Sequence, residues 1–154
     1  MLKARDIMTT DVITVRADTT VTDLARILTE HRISGAPVVN DEGRMIGIVT
    51  ENGLIRRNRR FHIPTVLRIL DAFIPLETEG MVEKEIRELT ASTVGEICAR
   101  DVVTVGEDAT VEDIATIMAE IKVHLIPVVK GDGITGIIGK MDLVRSMAGR
   151  SDQA

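Results

Sequence analysis

Tryptophan and tyrosine are absent from this 154-residue sequence, and phenylalanine occurs twice. A core of ordinary size must therefore be aliphatic, built from Val, Ile, Leu, Met and Ala. Stacking platforms for single-stranded nucleic acid are excluded as well, since only Phe61 and Phe73 could supply them. Cysteine occurs once, at Cys98, which rules out an internal disulfide and leaves the redox compartment open. Positive charge is scarce: the formal net charge is -5, the wrong sign for a broad nucleic-acid footprint, and no DNA partner is expected. Long apolar runs are missing too. Nothing approaches the roughly 18 residues of a membrane span, and "MLKARDIMTT" has no apolar signal region. Cytoplasmic residence is the default expectation.

What is present is a chain that says the same thing twice. Displaced by 90 residues, the stretch from Asp6 to Gly43 falls on Glu96 to Gly133; after a one-residue gap, "GIVTENGLIR" from Gly47 falls on "GIIGKMDLVR" from Gly136. Identical residues fill 20 of these 48 aligned positions, which marks a duplicated unit of about 50 residues. Two copies of so small a unit bury their apolar faces by packing on each other.

Both copies share one grammar. "DVITV" and "DVVTV" alternate and are β-branched, so each reads as a short strand. Thr20 with Asp23, and Thr110 with Asp113, are spaced as helix-capping pairs. The helices they open carry one apolar face each: Val21, Leu24, Ala25 and Leu28, then Val111, Ile114, Ala115 and Met118. "APVV" and "MIGIVT", like "IPVV" and "ITGIIG", form hairpins, with Pro37 and Pro127 at the start of the second strand. A helix beginning at Glu51 or Lys140 closes each copy. The order is β-α-β-β-α, an α/β (α+β) class. The boundaries are 1–57 for the first repeat, 58–93 for an insert, 94–148 for the second repeat and 149–154 for a disordered tail.

The insert lacks the Gly and Ser runs of a flexible linker. "PTVLRILDAFIP" reads as a helix between Pro64 and Pro75, and "MVEKEIRELT" as an amphipathic one with Val82, Ile86 and Leu89 on a side. The first is more apolar than one packed face requires. It serves either to cover the repeats or to meet a partner, whether a second copy or another protein, through residues 63–90.

Three ordered phrases, each occurring twice, resemble the cystathionine β-synthase (CBS) domain: V-h-T-V-x-x-D-x-T-V-x-D, then P-V-V-x-x-x-G, then G-I-h-T/G-x-x-G/D-L. The resemblance covers both repeats, about two thirds of the chain, as the tandem pair called a Bateman module. The insert resembles that of stand-alone bacterial and archaeal CBS-pair proteins. The likeness implies two repeats packed about a pseudo-twofold axis and self-association into a homodimer. It also implies an adenosine-containing ligand (AMP, ADP, ATP or S-adenosylmethionine) in clefts that draw on both copies, as a regulatory activity without catalysis.

Carried over by position, one cleft takes Met8, Asp11, Ile13, Ile33, Ser34 and Gly35 from the first copy, with His124, Lys140 and Asp142 from the second. The other takes Cys98, Asp101, Val103, Val123 and His124 from the second, with Ser34, Thr50 and Gly53 from the first. In the family a Thr/Ser-x-x-Asp pair handles phosphate and ribose, because a carboxylate accepts from ribose hydroxyls through charge-assisted bonds and a hydroxyl donates to phosphate. Here that pair is split. Thr50 is followed by Gly53, and Gly139 precedes Asp142. The Asp142 cleft is thus expected to bind the nucleoside better, with Lys140 compensating in charge for the hydroxyl missing at 139. Asn52, beside Gly53, is expected to point elsewhere.

Plainer readings stand beside these. Asp142 can cap the last helix, Thr50 can cap the one before the insert, and His124 can be a satisfied structural histidine. The basic run "RRNRRFH" at 56–62 is either a solvated face or a contact for polyphosphate, RNA or an anionic membrane. His31, His62, His124 and Cys98 lack metal-ligand spacing, and neither a phosphate-binding glycine loop nor a nucleophile with its base can be read, so no catalytic or metal residue is expected. A structural dimerisation scaffold with decayed clefts is the alternative to a sensor.

Overall fold

The computed structural model describes residues 1–59 and 92–151. The two helices expected in the insert, Phe61, Phe73 and the end of the basic run, residues 60–62, lie outside the described residues. The first copy comprises α1 (Ala4–Ile7), β1 (Val15–Arg16), α2 (Val21–His31), β2 (Gly35–Val39), β3 (Met45–Thr50) and α3 (Glu51–Arg59). The second repeats the series as α4 (Val94–Ile97), β4 (Val105–Gly106), α5 (Val111–Ile121), β5 (Leu125–Lys130), β6 (Gly133–Gly139) and α6 (Lys140–Ser151). Helix α6 thus runs into the segment expected as a tail. Each copy forms one three-stranded sheet, β1-β2-β3 and β4-β5-β6, with a parallel first pair and an antiparallel second.

The local chemistry follows the sequence closely. Thr20 Oγ1 accepts from the Asp23 N–H at 3.1 Å, and Thr110 Oγ1 accepts from Asp113 N–H at 3.1 Å, so both long helices start where the caps place them. Val21, Leu24 and Leu28 are buried, as are Val111, Ile114 and Met118. Ala25 is exposed instead, and half-buried Ile27 joins Leu24 and Leu28 on the inner face in its place. Both helices end on a non-glycine residue in the left-handed region: Arg32 at φ 54° and Lys122 at φ 62°. That conformation costs a side-chain-bearing residue on the order of 1 kcal/mol, which is why glycine usually occupies it.

The first strands are shorter than "DVITV" suggests, and proline supplies the reason. Ile48, the cross-strand partner of Pro37, exchanges both of its backbone bonds with Ala99 on the far side of β3. Pro37 therefore faces β1 with its N–H missing, and the parallel ladder begins only at Val15↔Val38. Pro127 opposite Ile137 repeats the arrangement, with Ile137 bonded to Thr9. Both prolines sit at the third residue of their strands rather than at the start.

The short helices α1 and α4, absent from the expected order, cross between the copies. Ala4 is fully buried in the core of the second copy, among Val105, Val111, Ile114, Ile126, Val128 and Ile138, with Leu2, Ile7 and Met8 packed against it. Val94 is fully buried in the core of the first copy, beside Val15, Leu24, Ala36, Val38 and Val49. Backbone bonds fix the exchange. Ala4 N–H donates to Ala109 O at 2.7 Å and Val111 N–H to Leu2 O at 3.1 Å, while Val94 N–H donates to Thr19 O at 2.8 Å and Gly95 N–H to Ala17 O at 2.9 Å. Each copy's core is thus closed by the leading segment of the other. Both cores are aliphatic throughout, as the composition requires.

Two glycines make the crossing possible. A Cβ on Gly47 would stand 2.8 Å from Ala99 O and 3.0 Å from Cys98 Sγ, and one on Gly136 would occupy the space Met8 fills. Met8 and Cys98 hold the same position in the repeat, each seated on the glycine of the opposite copy's last strand.

Candidate functional site

The exchange brings the two copies to face one another across an open cleft of about 800 Å³. Asp11, Ile13, Ile33, Ser34 and Gly35 line it from the first copy, and His124, Lys140 and Asp142 from the second. The residues named for the other cleft, Thr50, Gly53, Asp101, Val103 and Val123, line the same continuous space. Met8 and Cys98 are not on its wall: they are half-buried beneath Gly136 and Gly47, and Cys98 Sγ lies 3.7 Å from Gly95 O. Asn52, expected to point elsewhere, lines the cleft too.

Asp142 holds its place through its own helix. Its Oδ2 accepts from the Gly139 N–H at 2.7 Å, and its Oδ1 lies 3.3 Å from Arg145 Nη1. The side chain is only 14% exposed, while Arg145 is 72% exposed. The carboxylate therefore does what the plain reading expects, capping α6, while remaining on the cleft wall with lone pairs to spare. His124 is exposed on that wall, which does not suit the satisfied structural histidine of the plainer reading.

The split pair has room to be mended on both sides. A Cβ at Gly53 would meet nothing nearer than Ile97 O at 3.5 Å, and one at Gly139 nothing nearer than 3.8 Å. The lost groups were not excluded by crowding. Gly53→Asp puts a carboxylate at the position in α3 that Asp142 holds in α6, and removes a helical glycine. It is expected to raise stability by about 0.5–1 kcal/mol, read from the urea midpoint. Should the cleft take the adenosine ligand that the family resemblance implies, the same change raises the number bound per chain, read by calorimetry.

Some wall residues escaped the sequence reading, chiefly Arg32, Lys122, Met141 and Arg145. The signal for three of them was available: the repeat aligns a cation with a cation at 32 and 122, and again at 56 and 145. Among the described residues no cluster of three or more His, Cys, Asp or Glu could hold a metal ion, and no helix is long and apolar enough to cross a membrane.

The duplicated sheets, the exchanged leading helices and the shared cleft match a known architecture. The CBS domain model fits residues 4–60 and again residues 94–149. The chain belongs to the CBS domain family. As a CBS pair it is similar to an uncharacterised protein of Methanocaldococcus jannaschii, MJ1426, at 26% identity over 153 residues, covering 93% of this chain and 89% of the other. It is also similar to the CBS domain of a CBS domain-containing membrane protein from Sphaerobacter thermophilus, at 34% identity and a TM-score of 0.71, covering 94% and 87% of the two chains. The structure of CBSX2 in complex with AMP superposes with a TM-score of 0.73 over 98% of this chain and 99% of the other, at 23% identity, which speaks for the shared CBS-pair fold.

Proposed function

We propose that this CBS pair is a non-catalytic regulatory module that binds an adenosine-containing ligand (AMP, ADP, ATP or S-adenosylmethionine) in the cleft between its repeats. The observation that carries the reading is the cleft itself: about 800 Å³, walled by both copies, with four carboxylates, three hydroxyls and five cations among aliphatic residues. Ile13, Ile33, Val103 and Val123 offer apolar surface to a purine without any aromatic ring. Asp142 accepts from the ribose hydroxyls and His124 and Lys140 serve the phosphates, while Thr50 belongs to a second, weaker position on the other side of the cleft. Binding shifts the angle between the copies or the geometry of a homodimer, and can do so only by favouring one arrangement over the other. A protein partner reads the change through residues 63–90, in the cytoplasm.

A second reading, a dimerisation scaffold, draws on α6. Met141, Val144 and Met147 are 58%, 51% and 57% exposed along that helix, and neither Thr-x-x-Asp pair is whole. Calorimetry of the folded chain against the four adenosine compounds separates the two. Binding near one ligand per chain is expected; silence toward all four, with an intact dimer, would leave the scaffold.

A further inference from the structure

We infer that the cleft selects nucleotides carrying two or more phosphates over singly phosphorylated or cationic adenosine compounds, with Arg32 and Lys122 as the selecting residues. The inference rests on the reading that the cleft takes an adenosine nucleotide, and it names which class. Three observations converge. First, five Lys and Arg side chains line the cleft against four carboxylates, on a chain whose formal net charge is -5. Second, one of those carboxylates, on Asp142, is already engaged by Arg145 and by the Gly139 N–H, whereas among the described residues Arg32, Lys122 and Lys140 form no ion pair. Third, Arg32 and Lys122 both stand in the left-handed conformation at the end of a helix, at the same position of the two repeats. A glycine there would relieve the backbone, yet both copies place a long cation and turn it to the same cleft.

Chemistry then decides the class. Phosphate oxygens accept charge-assisted bonds from guanidinium and ammonium groups, and each added phosphate can use another unpaired cation. A sulfonium ligand would be repelled by the same groups. Arg32 and Lys122 precede Ser34 and His124 by two residues in their respective copies, so the cations enter from both walls.

The test uses the full chain with the double variant Arg32→Gly/Lys122→Gly, and with Arg32→Asn/Lys122→Asn, since asparagine also tolerates this backbone. The melting temperature should not fall. ATP affinity should drop by about tenfold or more while AMP affinity changes little, and wild type should prefer ATP to AMP and to S-adenosylmethionine. Unchanged ATP affinity in both variants, or a wild type that prefers S-adenosylmethionine, overturns the selection while leaving adenosine binding in place. A wild type that binds no adenosine compound overturns both.

Discussion

Deleting residues 1–9 will open the core of the second copy, residues 94–149, while the first copy keeps most of its protection against hydrogen exchange. Sequence order alone suggests the reverse, because those residues belong to the first repeat. Ala4 is fully buried among Val105, Ile114, Ile126 and Ile138, and Leu2, Ile7 and Met8 pack against the same cluster. Four apolar side chains lost from one small core amount to about 4–6 kcal/mol at the usual cost of exposure. A domain of this kind has a stability on the order of 5–15 kcal/mol. The melting temperature is expected to fall by more than about 10 °C. The backbone bonds from Ala4 to Ala109 and between Thr9 and Ile137 go as well, leaving the far side of β6 unpaired. Exchange should therefore quicken first at β6 and α5. Faster exchange confined to β2 and β3 would show that the crossing does not hold in solution. The exposed contacts of Lys3 and Arg5 with Asp108 span the same junction but add little, being solvated.

Under the proposed function, Asp142→Ala is expected to lower the affinity for an adenosine ligand about a hundredfold, through loss of the two charge-assisted bonds proposed to the ribose. The same substitution removes the cap on Gly139 N–H and should cost about 0.5–2 kcal/mol of stability. The Arg145 pair contributes little, since that arginine is 72% exposed. Asp142→Asn separates the two effects. An amide oxygen can still accept from Gly139 N–H, so stability should hold near wild type, but the carboxylate charge proposed to face the ribose is gone and binding should stay weak. Equal binding by wild type and the Asn variant would confine Asp142 to the helix cap and move the ligand toward the Thr50 side of the cleft.

The periodic features of this chain are legible in its amino acids alone. Thr20 and Thr110 sit where a cap bond forms, Val21, Leu24 and Leu28 recur at helical spacing, and the hairpins read from "PVV" to "GIV" and "GII". Each of these depends on contacts within a few residues, and local periodicity records such contacts directly. The repeat, because it compares the chain with itself, revealed the two-copy plan and the CBS family. Most residues carried over from that resemblance, among them Asp11, Ser34, His124 and Asp142, stand on the cleft wall.

What the sequence could not decide was which copy closes which core. Leu2, Ala4, Ile7 and Met8 are apolar, but nothing in the sequence says whether Ala4 meets Val15 or Val105. Only the tertiary structure chose the latter. The choice turns on shape at a distance: Gly136 leaves a socket for Met8 and Gly47 leaves one for Cys98, across more than a hundred residues in one case. For the same reason Met8 and Cys98 are packing residues beneath the cleft rather than on its wall, and the left-handed Arg32 and Lys122 are on it. A repeat pattern gives each residue its place in its own unit, whereas neighbours across the pseudo-twofold axis are set by how two finished units fit together.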